Sequence, residues 1–294
     1  MNQALLTTPS GKAIGRSRGR TRPKSRAGGL KVSIVTVCYN SADTIEDTIR
    51  SVLSQQHERL EYVVVDGGST DGTLDILARY RDRIDKCISE PDRGIYDAMN
   101  KGVDLAEGEF VGFLNADDVY TSPTVISEVA AAAEMNRMDG VYGDLMYIGR
   151  QDTQRVVRYW RAGQYRPKAF YSGWVPPHPT FFCRTELYRE FGGFNPEYRI
   201  AGDFELMLRF IEKQHIHIEY IPKPFVRMRV GGKANTLRGI LQGNREIVHA
   251  FHSNGLAFPL HFFCFRLLRR IPQVLRRSTG HLRVPQRPIY TSCK

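Results

Sequence analysis

The sequence predicts an α/β protein built on a mostly parallel central sheet flanked by helices, and three observations carry that prediction. In the first half, short β-branched runs alternate with helical apolar stripes at a spacing of roughly thirty residues, the rhythm of βαβ units with right-handed crossovers. Each run stops abruptly in a cluster of Asp, Asn, Gly or Ser, as strands do where a parallel sheet presents polar groups at its carboxyl edge. At 294 residues the chain can bury a substantial core, and one large domain is favoured over two.

Residues 1–30 are rich in Ser, Gly, Thr, Pro and Arg, with almost no bulky apolar residue after Leu6, so a disordered basic arm is expected there. Val32–Cys38 reads as the first strand and ends at Tyr39-Asn40. Asp43 with Glu46 three residues later has the form of a capping box, and Ile45, Ile49, Val52 and Leu53 mark the helix behind it. Leu60–Val65 is the second strand, closing in Asp66-Gly-Gly-Ser-Thr-Asp71. A helix then starts at Asp71-Gly72 and runs through Leu74, Leu77 and Tyr80. A shorter strand near Cys87–Ser89 leads to Glu90-Pro-Asp-Arg-Gly94, a helix from Ile95 to Leu105, and the apolar strand Phe110–Leu114.

After Asp118, Ser122-Pro123 opens a helix through Ala130–Ala133, and 141–148 and 155–160 alternate like antiparallel strands. Residues 161–180 hold Gly163, Pro167, Gly173, Pro176, Pro177 and Pro179, a long loop expected to cover a cleft. A short helix at Glu186–Phe191 ends at Gly192-Gly193. Asp203 precedes an amphipathic helix, Phe204–Ile211; strands follow at 218–221 and 225–230, then a helix from Leu237 to Phe251. From Leu256 onward Phe and Leu interleave with Arg266, Arg269, Arg270, Arg276 and Arg277. This segment is too charged to span a bilayer; it suits a helix lying on anionic lipid or one packed on the domain.

The formal net charge of +11 is carried by the ends: residues 1–31 and 266–294 each hold eight Lys/Arg and no acid, which leaves 32–265 at −5. Five scattered cysteines without CxxC spacing indicate neither a zinc site nor a disulfide framework, and fit a reducing compartment. The first thirty residues lack the apolar core of a signal peptide, and no uncharged run reaches the length of a membrane span, so a cytoplasmic location is expected.

The stretch from Phe110 to Asp118 organises the chemistry. A buried strand that delivers Asn115, Asp117 and Asp118 to the ligand edge of a parallel sheet can hold a divalent cation; the alternative is that the two acids cap a following helix. Neither GxGxxG nor GxxxxGK[ST] occurs, so phosphate would be managed by a metal rather than by a glycine cradle.

Six motifs can be set together: Thr36-Val-Cys-Tyr-Asn40, Val65-Asp-Gly-Gly-Ser-Thr-Asp-Gly-Thr73, Glu90-Pro-Asp-Arg-Gly-Ile-Tyr-Asp-Ala-Met-Asn-Lys-Gly102, Leu114-Asn-Ala-Asp-Asp118, His178-Pro-Thr-Phe-Phe182 and Ala201-Gly-Asp-Phe-Glu205. Over residues 32 to about 235 they resemble the family 2 glycosyltransferases of the GT-A fold, in particular those building bacterial exopolysaccharides such as colanic acid. The resemblance implies a GT-A domain over 31–235 and leaves 236–294 as a basic, helical, possible membrane-associating extension. It further implies inverting transfer from a nucleoside diphosphate sugar to a hydroxyl of a lipid-linked or oligosaccharide acceptor, assisted by Mg²⁺ or Mn²⁺, at the inner face of the cell membrane.

The roles implied fall on matching positions. Asp66 would contact the base, helped by Tyr39 and by Asp92 or Arg93, although Asp66 could instead make an Asx turn with Gly67-Gly68. Asp117 would hold the metal, with Asp118 as second contributor and Asn115, where relatives carry an acid, accepting a ribose hydroxyl or touching the metal weakly. Asp203 would be the catalytic base, with Glu205 in reserve; its alternative role is an N-cap. His178 could touch the metal or the diphosphate or be structural, and Arg227, Arg229 and Lys233 could bind diphosphate or face solvent. A sugar nucleotidyltransferase or a non-catalytic nucleotide-sugar-binding protein is the alternative. The first would want a Gly-rich basic loop after the first strand, which is missing. The N-terminal arm lacks the interleaved aromatics of a nucleic-acid binder, and no nucleic-acid partner is expected.

Overall fold

The computed structural model describes residues 29–150, 152–231 and 236–275. The expected basic arm up to residue 28, Lys233 and the tail beyond 275 lie outside the described residues. β1 (Val32–Cys38), β2 (Leu60–Asp66), β3 (Lys86–Ser89) and β4 (Phe110–Phe113) form a parallel block in the order β3-β2-β1-β4. The helices α1 (Ile45–Leu53), α2 (Thr73–Arg79) and α3 (Ile95–Leu105) connect them. Alternate strand residues feed two cores: Val35, Val37, Val63 and Val65 meet α3, whereas Val32, Ile34, Tyr62 and Val64 share the other cluster with α1 residues. Both faces of the block are therefore covered, which is why β1 and β2 read as nearly unbroken apolar runs.

Beyond β4 the sheet is mixed: β8 (Phe182–Arg184), β6 (Gly140–Ile148), β9 (Ile218–Arg229) and β5 (Asp118–Tyr120) follow in that order, with β7 (Val156–Trp160) paired to β6. β4 and β5 stand far apart along this path although only residues 114–117 separate them in the chain. Four connecting residues cannot cross an open sheet, so the sheet curls back on itself and that tetrapeptide forms the corner. α4 (Val125–Met135) and α5 (Thr185–Phe191) cover the mixed part, and α6 (Gly202–Met207) continues in π geometry through Lys213.

Several sequence expectations change. Thr44, not Asp43, is the N-cap of α1 and makes no side-chain cap; Glu46 instead pairs with Arg50 and Arg79. β5 and β8 were not anticipated, because three-residue strands give no periodicity. The two strands expected at 218–221 and 225–230 are one strand, in which Pro222 and Pro224 sit where the register with β6 shifts. Phe204–Ile211 is not amphipathic: every residue but Arg209 is buried, as in a helix placed inside a core. The loop 161–180 packs rather than drapes. Phe170 and Trp174 enter the core, and Trp174 Nε1 donates to Ala162 O at 2.7 Å.

α7 (Leu237–Ser253) and α8 (Phe262–Leu275) complete this core, with Phe251 and Phe262 each in ring contact with Phe204. α8 thus packs on the domain through Phe262, while Phe265, Leu267 and Leu268 remain exposed. Among the described residues no helix is long and apolar enough to cross a membrane.

Candidate active site

The loops after β1 and β2 form one unit. Asn40, with a left-handed backbone (φ 50°), receives Thr70 N–H at 2.9 Å on Oδ1 and donates its own N–H to Ser69 Oγ at 2.8 Å. Ser41 N–H donates to Thr73 Oγ1 and Ala42 N–H to Asp71 Oδ2, so Ser69, Thr70, Asp71 and Thr73 are each tied to the first loop. Asp66 organises this junction from below. Its buried carboxylate accepts from Gly68 N–H, Ser69 N–H, Ser69 Oγ, Ser89 Oγ and Cys38 Sγ. Burial pushes the carboxyl up, but the Ser69 and Ser89 hydroxyls and the Ser69 N–H outweigh it and hold the pKa below the usual carboxylate range. The Asx turn is therefore present.

Above Asp66 lies Gly67. A Cβ built there would collide with Asp92 Oδ2 and approach the Tyr39 ring to 3.5 Å, so the missing side chain brings Tyr39 and Asp92 together. Tyr39 is 60% exposed, and Asp92 Oδ1 is fixed by Gly94 N–H at 2.8 Å. An exposed ring beside a fixed carboxylate can stack a planar base and accept a hydroxyl or N–H. Arg93 is turned aside, its guanidinium paired with Asp97 at 2.7 Å.

At the corner after β4, Thr48 Oγ1 of α1 donates to Asp118 O at 2.8 Å and lies 3.4 Å from Asn115 O. Arg229, at the end of β9, donates to Asp117 O at 2.7 Å and pairs with Asp47 at 2.6 Å. Arg229 therefore faces neither solvent nor an open pocket; it grips the corner. The Asp117 side chain is reached by water but recessed, and burial raises its carboxyl pKa above the ordinary value. Asp118 is fully buried; burial first, and the Asp117 charge second, push its carboxyl well up.

Two buried oxygens at this corner, Asn115 Oδ1 and Asp118 Oδ1, have no hydrogen-bond partner among the described residues. An amide and a carboxylate oxygen left bare beside a second carboxylate, Asp117, fit a hard cation. No group of three His, Cys, Asp or Glu suited to a metal occurs among the described residues. The protein side of such a site is therefore sparse, as for an ion that takes its remaining ligands from water and phosphate.

Asp203 lies in the first turn of α6, where Tyr96 OH donates to its Oδ1 at 3.4 Å and Phe204 N–H to the same oxygen at 2.8 Å. Gly202 is what lets Tyr96 in, since a Cβ there would stand 2.7 Å from its ring. His178 is buried in a 3₁₀ turn, stacked on Phe113 with ring centroids 5.5 Å apart. Burial lowers its pKa, and the charge of Asp203 partly opposes this. His178, stacked on Phe113 at the end of β4, is thus the residue through which the β4 end and Asp203 come into electrostatic reach of each other. Glu205, the reserve base, does not fit that part: it is buried, bound by Arg209 through both oxygens and by Asn254. Thr48, Asp47 and Tyr96 were missed. Only Tyr96 carried a signal, lying inside a quoted motif at the start of α3.

The glycosyl transferase family 2 model matches residues 33–191, more than half of the chain. An uncharacterized glycosyltransferase of Mycobacterium tuberculosis is 33% identical over 180 residues, which cover 60% of this chain and 68% of the relative. A putative teichuronic acid biosynthesis glycosyltransferase of Bacillus subtilis is 46% identical over 92 residues, 30% of this chain and 36% of the relative. Among solved structures, S. aureus TarS 1-349 in complex with UDP-GlcNAc superposes with TM-score 0.62 at 19% identity, covering 84% of this chain and 79% of TarS 1-349. A mannosyltransferase of Pyrobaculum calidifontis in complex with GDP-Man and Mn²⁺ gives 0.58 at 17% identity, covering 91% and 81%. These two likenesses carry the GT-A architecture. By its family match and the relatives it resembles, this chain belongs to glycosyltransferase family 2 and is a glycosyltransferase.

Proposed function

We propose that the chain is an inverting enzyme that moves a sugar from a nucleoside diphosphate sugar to a hydroxyl of a lipid-linked or oligosaccharide acceptor in extracellular polysaccharide synthesis. The reading is supported by the Tyr39–Gly67–Asp92 cleft, by the bare oxygens at the Asp117 corner, and by His178, which stacks on Phe113 after which that corner begins and feels the charge of Asp203. The nucleoside would lie against Tyr39 over Gly67, with Asp92 accepting from it and Asp66 and Arg93 keeping the surrounding loops in shape. Asp117, Asn115 and Asp118 would hold Mg²⁺ or Mn²⁺, which when bound neutralises the charge developing on the departing diphosphate. Asp203 would take the proton of the acceptor hydroxyl as its oxygen bonds to the anomeric carbon and the bond from that carbon to the diphosphate breaks. His178, kept neutral by burial, would present a dipole rather than a charge to that step.

The polymer is proposed only as a class. Colanic acid is one member, and the teichuronic acid named for the Bacillus relative is another. We read 31–235 as the catalytic unit and 236–294 as an extension that also meets the membrane. The exposed Leu260, Phe265, Leu267 and Leu268, with the arginines that follow in sequence, suit the headgroup region of an anionic leaflet at the cytoplasmic face.

The test is a thermal-shift screen of nucleoside diphosphate sugars with and without Mg²⁺ or Mn²⁺. The reading expects one nucleotide class to raise Tm in a metal-dependent way, by about 2.7 kcal/mol of added stability at a hundredfold excess over Kd. A flat response across all donors and both metals would remove it.

A further inference from the structure

We infer that Glu246, on α7 and outside the stretch matched by the family model, is a positioning residue for Asp203; the inference rests on the reading of Asp203 as the base. Glu246 is buried, and its two carboxylate oxygens collect four N–H donors. Oε1 accepts from Arg199 N–H at 3.0 Å and Gln242 Nε2 at 2.8 Å; Oε2 accepts from Ile200 N–H at 2.9 Å and Ala201 N–H at 2.7 Å. Three consecutive backbone N–H groups immediately before Gly202-Asp203 thus converge on one side chain 45 to 47 residues further along the chain. An ionised carboxylate in such a cradle makes stronger and shorter bonds than a neutral acceptor, and a buried one cannot be replaced there by water.

The same helix face holds this segment at further points. Tyr198 OH bonds to His249 Nδ1 at 2.9 Å, and Gly243 lets Ile200 pack so closely that an added Cβ would stand 3.0 Å from its Cγ2. On the other side, Tyr96 presses on Gly202 and reaches Asp203 Oδ1. Asp203 therefore meets a ring on α3 and directly follows a segment held by a carboxylate on α7. Its first-turn backbone is fixed by Glu246 rather than by a cap from its own neighbourhood, since Ala201 at the N-cap makes no side-chain bond. Glu246 touches no part of the proposed donor site, so its effect should fall on the proton-accepting step alone.

The experiment compares the full chain with Glu246→Gln, Gly243→Ala, Asp203→Asn and the double variant Glu246→Gln/Asp203→Asn. Donor is supplied as the nucleoside diphosphate sugar that stabilises the wild type, acceptor as a panel of para-nitrophenyl glycosides, and amide exchange of residues 199–205 is followed alongside. Glu246→Gln is expected to lower kcat about tenfold to a hundredfold at unchanged donor KM, as a misplaced catalytic group does. It should speed exchange in 199–205 but not in β1 to β4, and it should cost nothing further once Asp203 is Asn. Gly243→Ala, which raises helix propensity while crowding Ile200, covers the case in which Glu246→Gln does not fold; it is expected to lower kcat without lowering Tm. An unchanged kcat, a loss shared equally by donor KM, or additive losses in the double variant would overturn the role of Glu246 alone. Absence of wild-type turnover with every donor and acceptor would instead defeat the transfer reading on which the inference rests.

Discussion

Asp66 and Asp117 both follow parallel strands of one sheet, yet the chain treats the two carboxylates differently. Asp66 accepts from five donors on β1, β3 and its own loop and behaves as a structural hub; Asp117 is exposed, with bare oxygens beside it. Sequence placed both at strand ends but could not separate them, because what distinguishes them is the supply of donors from Cys38, Ser69 and Ser89. The partners of Arg93 and Glu205 were hidden for the same reason: Asp97 pairs with the first, Arg209 and Asn254 bind the second, and they meet only after folding. Gly67→Ala tests the cleft. The added methyl meets Asp92 and Tyr39, so nucleotide Kd measured by calorimetry should rise at least about tenfold, equivalent to about 1.4 kcal/mol. His178 gives a pH prediction. Its native pKa lies below the unfolded value of about 6.5, so below that pH the unfolded chain takes up the proton first. Its contribution to stability is whole above about pH 6.5 and falls as pH drops towards the native pKa, by up to about 1.4 kcal/mol per unit. Urea midpoints should decline over that window in the wild type and less in His178→Phe, which keeps the stack on Phe113; identical slopes would refute it.

At the scale of elements, the parallel block was legible almost residue by residue, since β1 and β2 are apolar on both faces and their helices carry clear stripes. The mixed block was not. Three-residue strands such as β5 and β8 lack any period, and β9 runs through two prolines that normally break a strand. α6 was misread because its polar residues, Glu205 and Glu212, are buried and bonded rather than turned to water; Glu212 accepts from the Lys168 and Phe170 N–H groups. For α8, packing on the domain is observed, and contact with lipid is proposed for the opposite face. One face packs through Phe262, and the other offers Phe265, Leu267 and Leu268 outward. Changing those three to Ser should weaken co-sedimentation with phosphatidylserine-containing vesicles at least about tenfold, since each apolar side chain removed from the interface forfeits roughly 1.5–3 kcal/mol when fully buried. Transfer to a soluble acceptor should persist. Unchanged vesicle binding would mean that α8 does not lie on the membrane.

Across the whole molecule, the curl of the sheet is what unites the chemistry. Because β5 lies far from β4 along the hydrogen-bonded path while four residues join them, the corner bearing Asn115, Asp117 and Asp118 is pulled inward and locked by Thr48 and Arg229. α3 and α7 fix the start of α6, where Asp203 lies, through Tyr96 and Glu246. Sequence supplied the motifs at both places but not the closure, which depends on the long-range pairing of β6 with β9 and of β5 with β9. The central claim is that a metal-assisted donor site at Asp117 works with a base at Asp203. It is tested most directly by measuring donor Kd, with and without Mn²⁺, and transfer rate in Asp117→Asn and Asp203→Asn. Asp203→Asn should bind donor as the wild type does, with the same metal dependence, while transfer falls by about 10²–10⁴-fold, and Asp117→Asn should lose the metal-dependent part of binding. Near wild-type turnover by Asp203→Asn, or undiminished metal-dependent binding by Asp117→Asn, would contradict it.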